Sequence, residues 1–123
     1  MVERRKYRRF EIPGGSVKTG KFSGFSIFKP VSAARPLLNI CIGGLNFLGE
    51  KEFRTGEDLL LEIHVPDENI FKVRSKVIWS NPVPISSERL TGLEFFPFID
   101  DRNLNPPEVM TILRRLYARY TDT

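Results

Sequence analysis

Apolar and polar residues alternate in short runs through the middle of this chain, and turn-forming residues interrupt them roughly every 8 to 12 positions. That rhythm predicts an antiparallel β-barrel or sandwich and argues against repeated βαβ units. Leu59, Leu61, Ile63 and Val65 would share one face of a strand, with Glu62 and His64 on the other. The turn signal Pro66-Asp67-Glu68-Asn69 leads into a second run. There Phe71, Val73, Val77 and Trp79 lie opposite Lys72, Arg74 and Lys76, so the two runs predict a hairpin. Upstream, residues 10–17, 21–28 and 37–42 are strand candidates, separated by Gly14-Gly15 and by the stretch from Pro30 to Pro36. Gly43-Gly44 breaks the third run and residues 45–48 restart it. Residues 90–96 predict a closing strand with Leu93 and Phe95 facing inward.

The period then changes. Val109, Ile112, Leu113, Leu116, Tyr117 and Tyr120 recur at helical spacing, backed by Arg114, Arg115 and Arg119. Asn105 is the expected N-cap, Pro106 and Pro107 fit a first turn, and Glu108 suits a capping box. The apolar stripe needs a surface to cover, most simply an open side or mouth of the barrel. The three arginines are left free to meet an acidic protein.

With 123 residues, of which 41% are hydrophobic, the chain has room for one self-supporting core, and residues 1–123 are expected to form a single domain. One cysteine excludes a disulfide framework, and one histidine removes most zinc constellations. No apolar run approaches the roughly 18 residues of a membrane span, and the charged start MVERRKYRRF is followed by no apolar leader. A cytoplasmic protein without membrane insertion is therefore expected. The charge is uneven. Residues 1–29 hold eight Lys/Arg against two acidic residues, a net +6, whereas the remaining 94 carry eleven basic and thirteen acidic residues, a net −2. An anionic partner docking at the front of the chain fits this better than a uniformly basic nucleic-acid surface.

Two clusters carry candidate chemistry. In Arg4-Arg5-Lys6-Tyr7-Arg8-Arg9, a spacing of four puts Arg5 and Arg9 on one side in either a helix or a strand, and Arg4 and Arg8 form a second such pair. Two guanidinium forks on one side can grip phosphate oxygens or the O6/N7 edge of guanine; an exposed basic arm is the alternative. In Asn39-Ile40-Cys41-Ile42-Gly43-Gly44, alternation points Asn39 and Cys41 to one face, and the glycines let backbone approach a ligand closely. A plain β-turn is the alternative there. Trp79 falls on the inward register and is expected in the core, or else at the barrel rim, where it would stack on a base. Neither Cys41 nor His64 lies in an activating motif, so no catalysis is expected.

Taken together, the two clusters resemble the PilZ family of cyclic di-GMP receptors. Arg5-x-x-x-Arg9 fits the RxxxR element, and Asn39-x-Cys41-x-x-Gly44 fits (D/N)xSxxG with Cys41 in place of serine. Phe53-x-x-Gly56, Val77-Ile78-Trp79 and Gly92-Leu93-Glu94-Phe95 follow the same layout. The resemblance implies a small, split, six-stranded-type antiparallel β-barrel over residues 10–98, with an arginine-rich arm at 1–10 and an accessory C-terminal α-helix at 105–121. It also implies that Arg5 and Arg9, with Arg4 and Arg8 nearby, grip the phosphates and guanine edges of cyclic di-GMP. Asn39, Cys41 and Gly44 would then meet another part of the ligand, and Trp79 would flank it. No cofactor is expected beyond that ligand. Occupancy would be converted into altered contact with an unidentified effector protein, through a mobile arm that closes on binding. A degenerate PilZ domain serving only as a protein-interaction module is the alternative. A basic-armed barrel binding RNA or single-stranded DNA is a third reading, weakened because Lys72, Arg74 and Lys76 lack interleaved exposed aromatics.

Overall fold

The computed structural model describes residues 8–22, 28–30, 33–50, 52–101 and 104–121. Seven strands precede one helix: β1 (Ser16–Phe22), β2 (Phe28–Pro30), β3 (Arg35–Cys41), β4 (Gly44–Gly49), β5 (Asp58–His64), β6 (Phe71–Pro82), β7 (Arg89–Phe95) and α1 (Pro107–Thr121). The sheet order is β2-β1-β3-β4-β7-β6-β5, every pairing is antiparallel, and β1 also pairs with β5. Six strands therefore close into a barrel, and β2 is a short addition against the far end of β1. Closure leaves each barrel strand with two partners and no long open edge.

The alternating pattern accounts for the interior. Leu59, Leu61 and Ile63 on β5 and Val73 and Val77 on β6 are fully buried, as are Val17 and Ile40. The β5–β6 hairpin turns at residues 66–67, where Asp67 takes φ 63°, a conformation this residue type tolerates better than most. Ser75 also lies on the inner face, and its hydroxyl donates to the Leu59 carbonyl at 3.1 Å, which makes a buried polar group tolerable.

Three local differences from expectation have clear causes. Residues 10–17 are not one strand. Phe10 forms a lone bridge to Ile40, a turn follows at Pro13-Gly14, and β1 starts only at Ser16; Pro13 has no N–H for a ladder. The expected strand at 21–28 is instead two sides of a ribbon, with Lys21 opposite Lys29 and Phe22 opposite Phe28; residues 23–27 lie outside the described residues. Asn105 does not cap the helix. Its Nδ2 donates to the carbonyls of Arg74 and Phe96, both at 2.9 Å, and its Oδ1 accepts from the Arg74 N–H. Pro106 takes the capping position, its carbonyl accepting from Val109 N–H at 3.1 Å, with Pro107 as first helical residue.

Helix α1 buries Val109, Leu113 and Leu116 in the same core cluster as the barrel strands. Burying each of these side chains contributes about 1.5–3 kcal/mol. Tyr117 meets Phe10 edge to face at a centroid distance of 5.6 Å, so the helix also holds the incoming chain. The basic face is not wholly free: Arg115 bonds the Glu68 carboxylate in the β5–β6 turn, and Arg119 lies 4.0 Å from it. No helix among the described residues is long and apolar enough to cross a membrane.

Candidate ligand-binding site

The segment bearing the arginines is fixed at Phe10. That residue is 6% exposed, and its N–H and C=O exchange hydrogen bonds with Ile40, both at 2.9 Å. Phe10 is thereby joined to the middle of the asparagine–cysteine motif on β3. Arg8 and Arg9 directly precede this bridge. Both arginines are exposed and border a shallow groove shared with Glu11, Tyr120 and Thr121. Arg4 and Arg5 lie outside the described residues.

On β3 the expected alternation is present beyond a bulge. Leu37 pairs with Phe47, but Asn39 pairs with Asn46, so Leu38 is an extra residue and is exposed. From there Asn39 and Cys41 face outward and Ile40 is fully buried. Cys41 is a half-buried free thiol. The hairpin closes tightly, with Cys41 opposite Gly44. Gly44 has a packing reason: a Cβ there would lie 2.1 Å from the Leu93 carbonyl oxygen, so only glycine lets β4 approach β7 so closely.

Trp79 faces outward, contrary to the simple alternation. Val77 pairs with Leu93 while Trp79 pairs with Gly92, making Ile78 the extra residue of a second bulge. The bulge re-aims the indole from the interior to the outer wall, where it is half-buried. Its ring occupies the space a side chain at Gly92 would fill: a Cβ on Gly92 would sit 2.4 Å from Trp79 Cε2.

Directly paired residues share a face of a sheet. Reading across four strands, Asn39, Asn46, Gly92 and Trp79 therefore form one lateral row on the outer wall. The next row carries Cys41, Gly44, Glu94, Lys76 and Asp58. The site is thus a polar row ended by an aromatic ring, with the arginine segment joined at the β3 side. Asn46 was not singled out in the sequence. The signal was available, because counting outward from the Cys41–Gly44 turn puts it opposite Asn39.

Other charged side chains are engaged elsewhere. His64 Nε2 is 2.9 Å from Glu62 Oε1 on β5, which does not pair with β3. Arg74 lies with its guanidinium carbon 5.4 Å from the centre of the Phe96 ring. Arg89 reaches the Ser80 carbonyl at 2.7 Å, and Arg35 the Leu48 carbonyl at 3.2 Å.

The fold is a small closed β-barrel whose outer wall carries an asparagine pair and a tryptophan in one row, joined at the β3 side to the segment bearing Arg8 and Arg9. The chain belongs to the PilZ domain family, whose model matches residues 3–118. A search of curated proteins finds no match. Among solved structures, YcgR from Escherichia coli, determined in complex with c-di-GMP, is 18% identical with a TM-score of 0.68 over 96% of this chain and 46% of the other. The Bacillus subtilis inhibitor of motility MotI/DgrA is 20% identical, with a TM-score of 0.67 over 96% and 52%. MrkH from K. pneumoniae, in a c-di-GMP complex, is 12% identical, with a TM-score of 0.58 over 97% and 57%. The chain thus spans about half the length of each of these proteins.

Proposed function

We propose that this PilZ domain is a cyclic di-GMP receptor that works in the cytoplasm and converts occupancy into altered contact with another protein. The observation that carries the reading is the Phe10–Ile40 bridge, which joins the arginine element to the asparagine–cysteine element on the wall that also holds Trp79. Two of the structural neighbours, YcgR and MrkH, are complexes with this dinucleotide.

The chemistry divides by residue type. The guanidinium groups of Arg5 and Arg9, with Arg4 and Arg8 adding charge, suit the phosphates and the O6/N7 edge of guanine. Trp79 offers an outward π-face for a purine. Asn39, at the other end of the same row, supplies an amide, and Cys41 offers a thiol, a weaker donor than the hydroxyl of the family pattern. Residues before Phe10 close over the ligand, and that closure is the change a protein partner reads.

Titration calorimetry with cyclic di-GMP, GTP and a short RNA tests this. Selective, saturable binding of the dinucleotide is expected. Binding of none of the three would leave an interaction module, and RNA binding with a steep salt dependence would replace the reading with nucleic-acid binding.

A further inference from the structure

Asn46 belongs to neither motif element, yet it is the most conspicuous polar group on the binding wall. It is 5% exposed, and its Oδ1 is buried without a hydrogen-bond partner. The Asn39 Oδ1, on the residue directly opposite, is buried and unpartnered as well. Buried polar side-chain atoms in native proteins are nearly always paired, and an orphaned acceptor destabilises the fold. Here two of them occur together, on side chains whose Cβ atoms are about 4.5–5.5 Å apart at such a pairing. Beyond Asn46 in the row lies Gly92, with no side chain, and along β4 Leu45 and Phe47 are buried in the core.

We infer that Asn39 and Asn46 form a paired acceptor that takes the adjacent ring N–H and amino donors of a guanine base, with Asn46 setting the choice of purine. The inference rests on the cyclic di-GMP reading and adds a residue to it. Guanine presents two donors side by side on its Watson–Crick edge. Adenine presents an amino donor next to a ring-nitrogen acceptor, which would set lone pair against amide oxygen. Hypoxanthine keeps the ring N–H but lacks the amino group. Because both oxygens are already out of water, the ligand's donors would meet acceptors whose desolvation cost is borne by the fold, so the hydrogen bonds count more fully toward affinity. Trp79 lies over the adjoining Gly92, only half-buried, at the end of the same row.

The test is calorimetry on the whole domain with cyclic di-GMP, its hypoxanthine counterpart cyclic di-IMP, and cyclic di-AMP. The wild-type protein should rank them in that order. Asn46→Leu removes the orphaned oxygen, so its thermal stability should hold or rise. Its cyclic di-GMP affinity should nevertheless fall about two- to tenfold, the value of one neutral hydrogen bond, while cyclic di-IMP loses less and the ratio narrows. Asn46→Ala carries the same expectation in a smaller side chain. A wild-type protein that binds cyclic di-GMP, paired with variants that keep both affinity and ratio, overturns the role of Asn46 alone. A wild-type protein that does not bind the dinucleotide overturns the receptor reading and this inference with it.

Discussion

Replacing Gly92 by alanine should displace the aromatic end of the proposed binding wall without replacing any polar side chain. A Cβ at that position would lie 2.4 Å from Trp79 Cε2, 2.5 Å from Cζ2 and 2.8 Å from Nε1. Comfortable carbon–carbon contact begins at about 3.5 Å, so the ring must retreat by roughly 1 Å or swing off the sheet. Forcing it to stay would cost about 1–3 kcal/mol of overpacking. Swinging out instead forfeits the apolar contact with the wall, at about 25 cal/mol per Å² re-exposed. Trp79 is the single tryptophan of the chain, so intrinsic fluorescence reports on this ring alone. Gly92→Ala should show red-shifted emission, a lowered melting temperature and a loss of cyclic di-GMP affinity of about 1–3 kcal/mol, the value of stacking one base. Trp79→Ala should lose the same affinity without the overpacking cost. Unchanged emission and affinity in Gly92→Ala would refute the placement of the ring in the row.

Cys41→Ser, on the outward face, should strengthen cyclic di-GMP binding by about two- to tenfold and leave thermal stability unchanged; a destabilised protein with no gain in calorimetry would mean the thiol belongs to the core. Asn105→Ala deletes the partner of the Arg74 N–H and of the Arg74 and Phe96 carbonyls. Urea unfolding should show a loss of at least about 1–3 kcal/mol, the cost of leaving one such buried group unpaired. Truncation before Pro106 uncovers the sites of Val109, Leu113 and Leu116, and should cost roughly 1.5 kcal/mol or more for each by the same measurement.

The barrel was legible because β5 and the first half of β6 alternate cleanly and flank an unmistakable turn. The helix was legible because six apolar residues keep one period. The core position expected first for Trp79 fails for a physical reason: an extra residue at Ile78 shifts the register between Val77 and Trp79, and a bulge leaves no mark in a pattern of apolar positions. Asn105 read as a helix cap because its residue type suits that role, whereas its amide serves the Arg74 carbonyl on β6, 31 positions away, and the Phe96 carbonyl just past β7. At the site, Asn39 and Cys41 kept the predicted face. The join between Phe10 and Ile40 was not legible, since it links residues thirty positions apart through a single bridge.

In the proposed receptor, one wall of the barrel, from the Phe10–Ile40 bridge to Trp79, receives cyclic di-GMP. A titration of isotope-labelled protein followed by amide and indole NMR shifts tests it most directly. Saturable shifts should concentrate at Arg8, Arg9, Asn39, Cys41, Asn46 and the Trp79 indole N–H, with β5 residues such as Leu61 and His64 little changed. Shifts centred on β5 or on the outer face of α1, with the Asn39–Trp79 row unmoved, would contradict it.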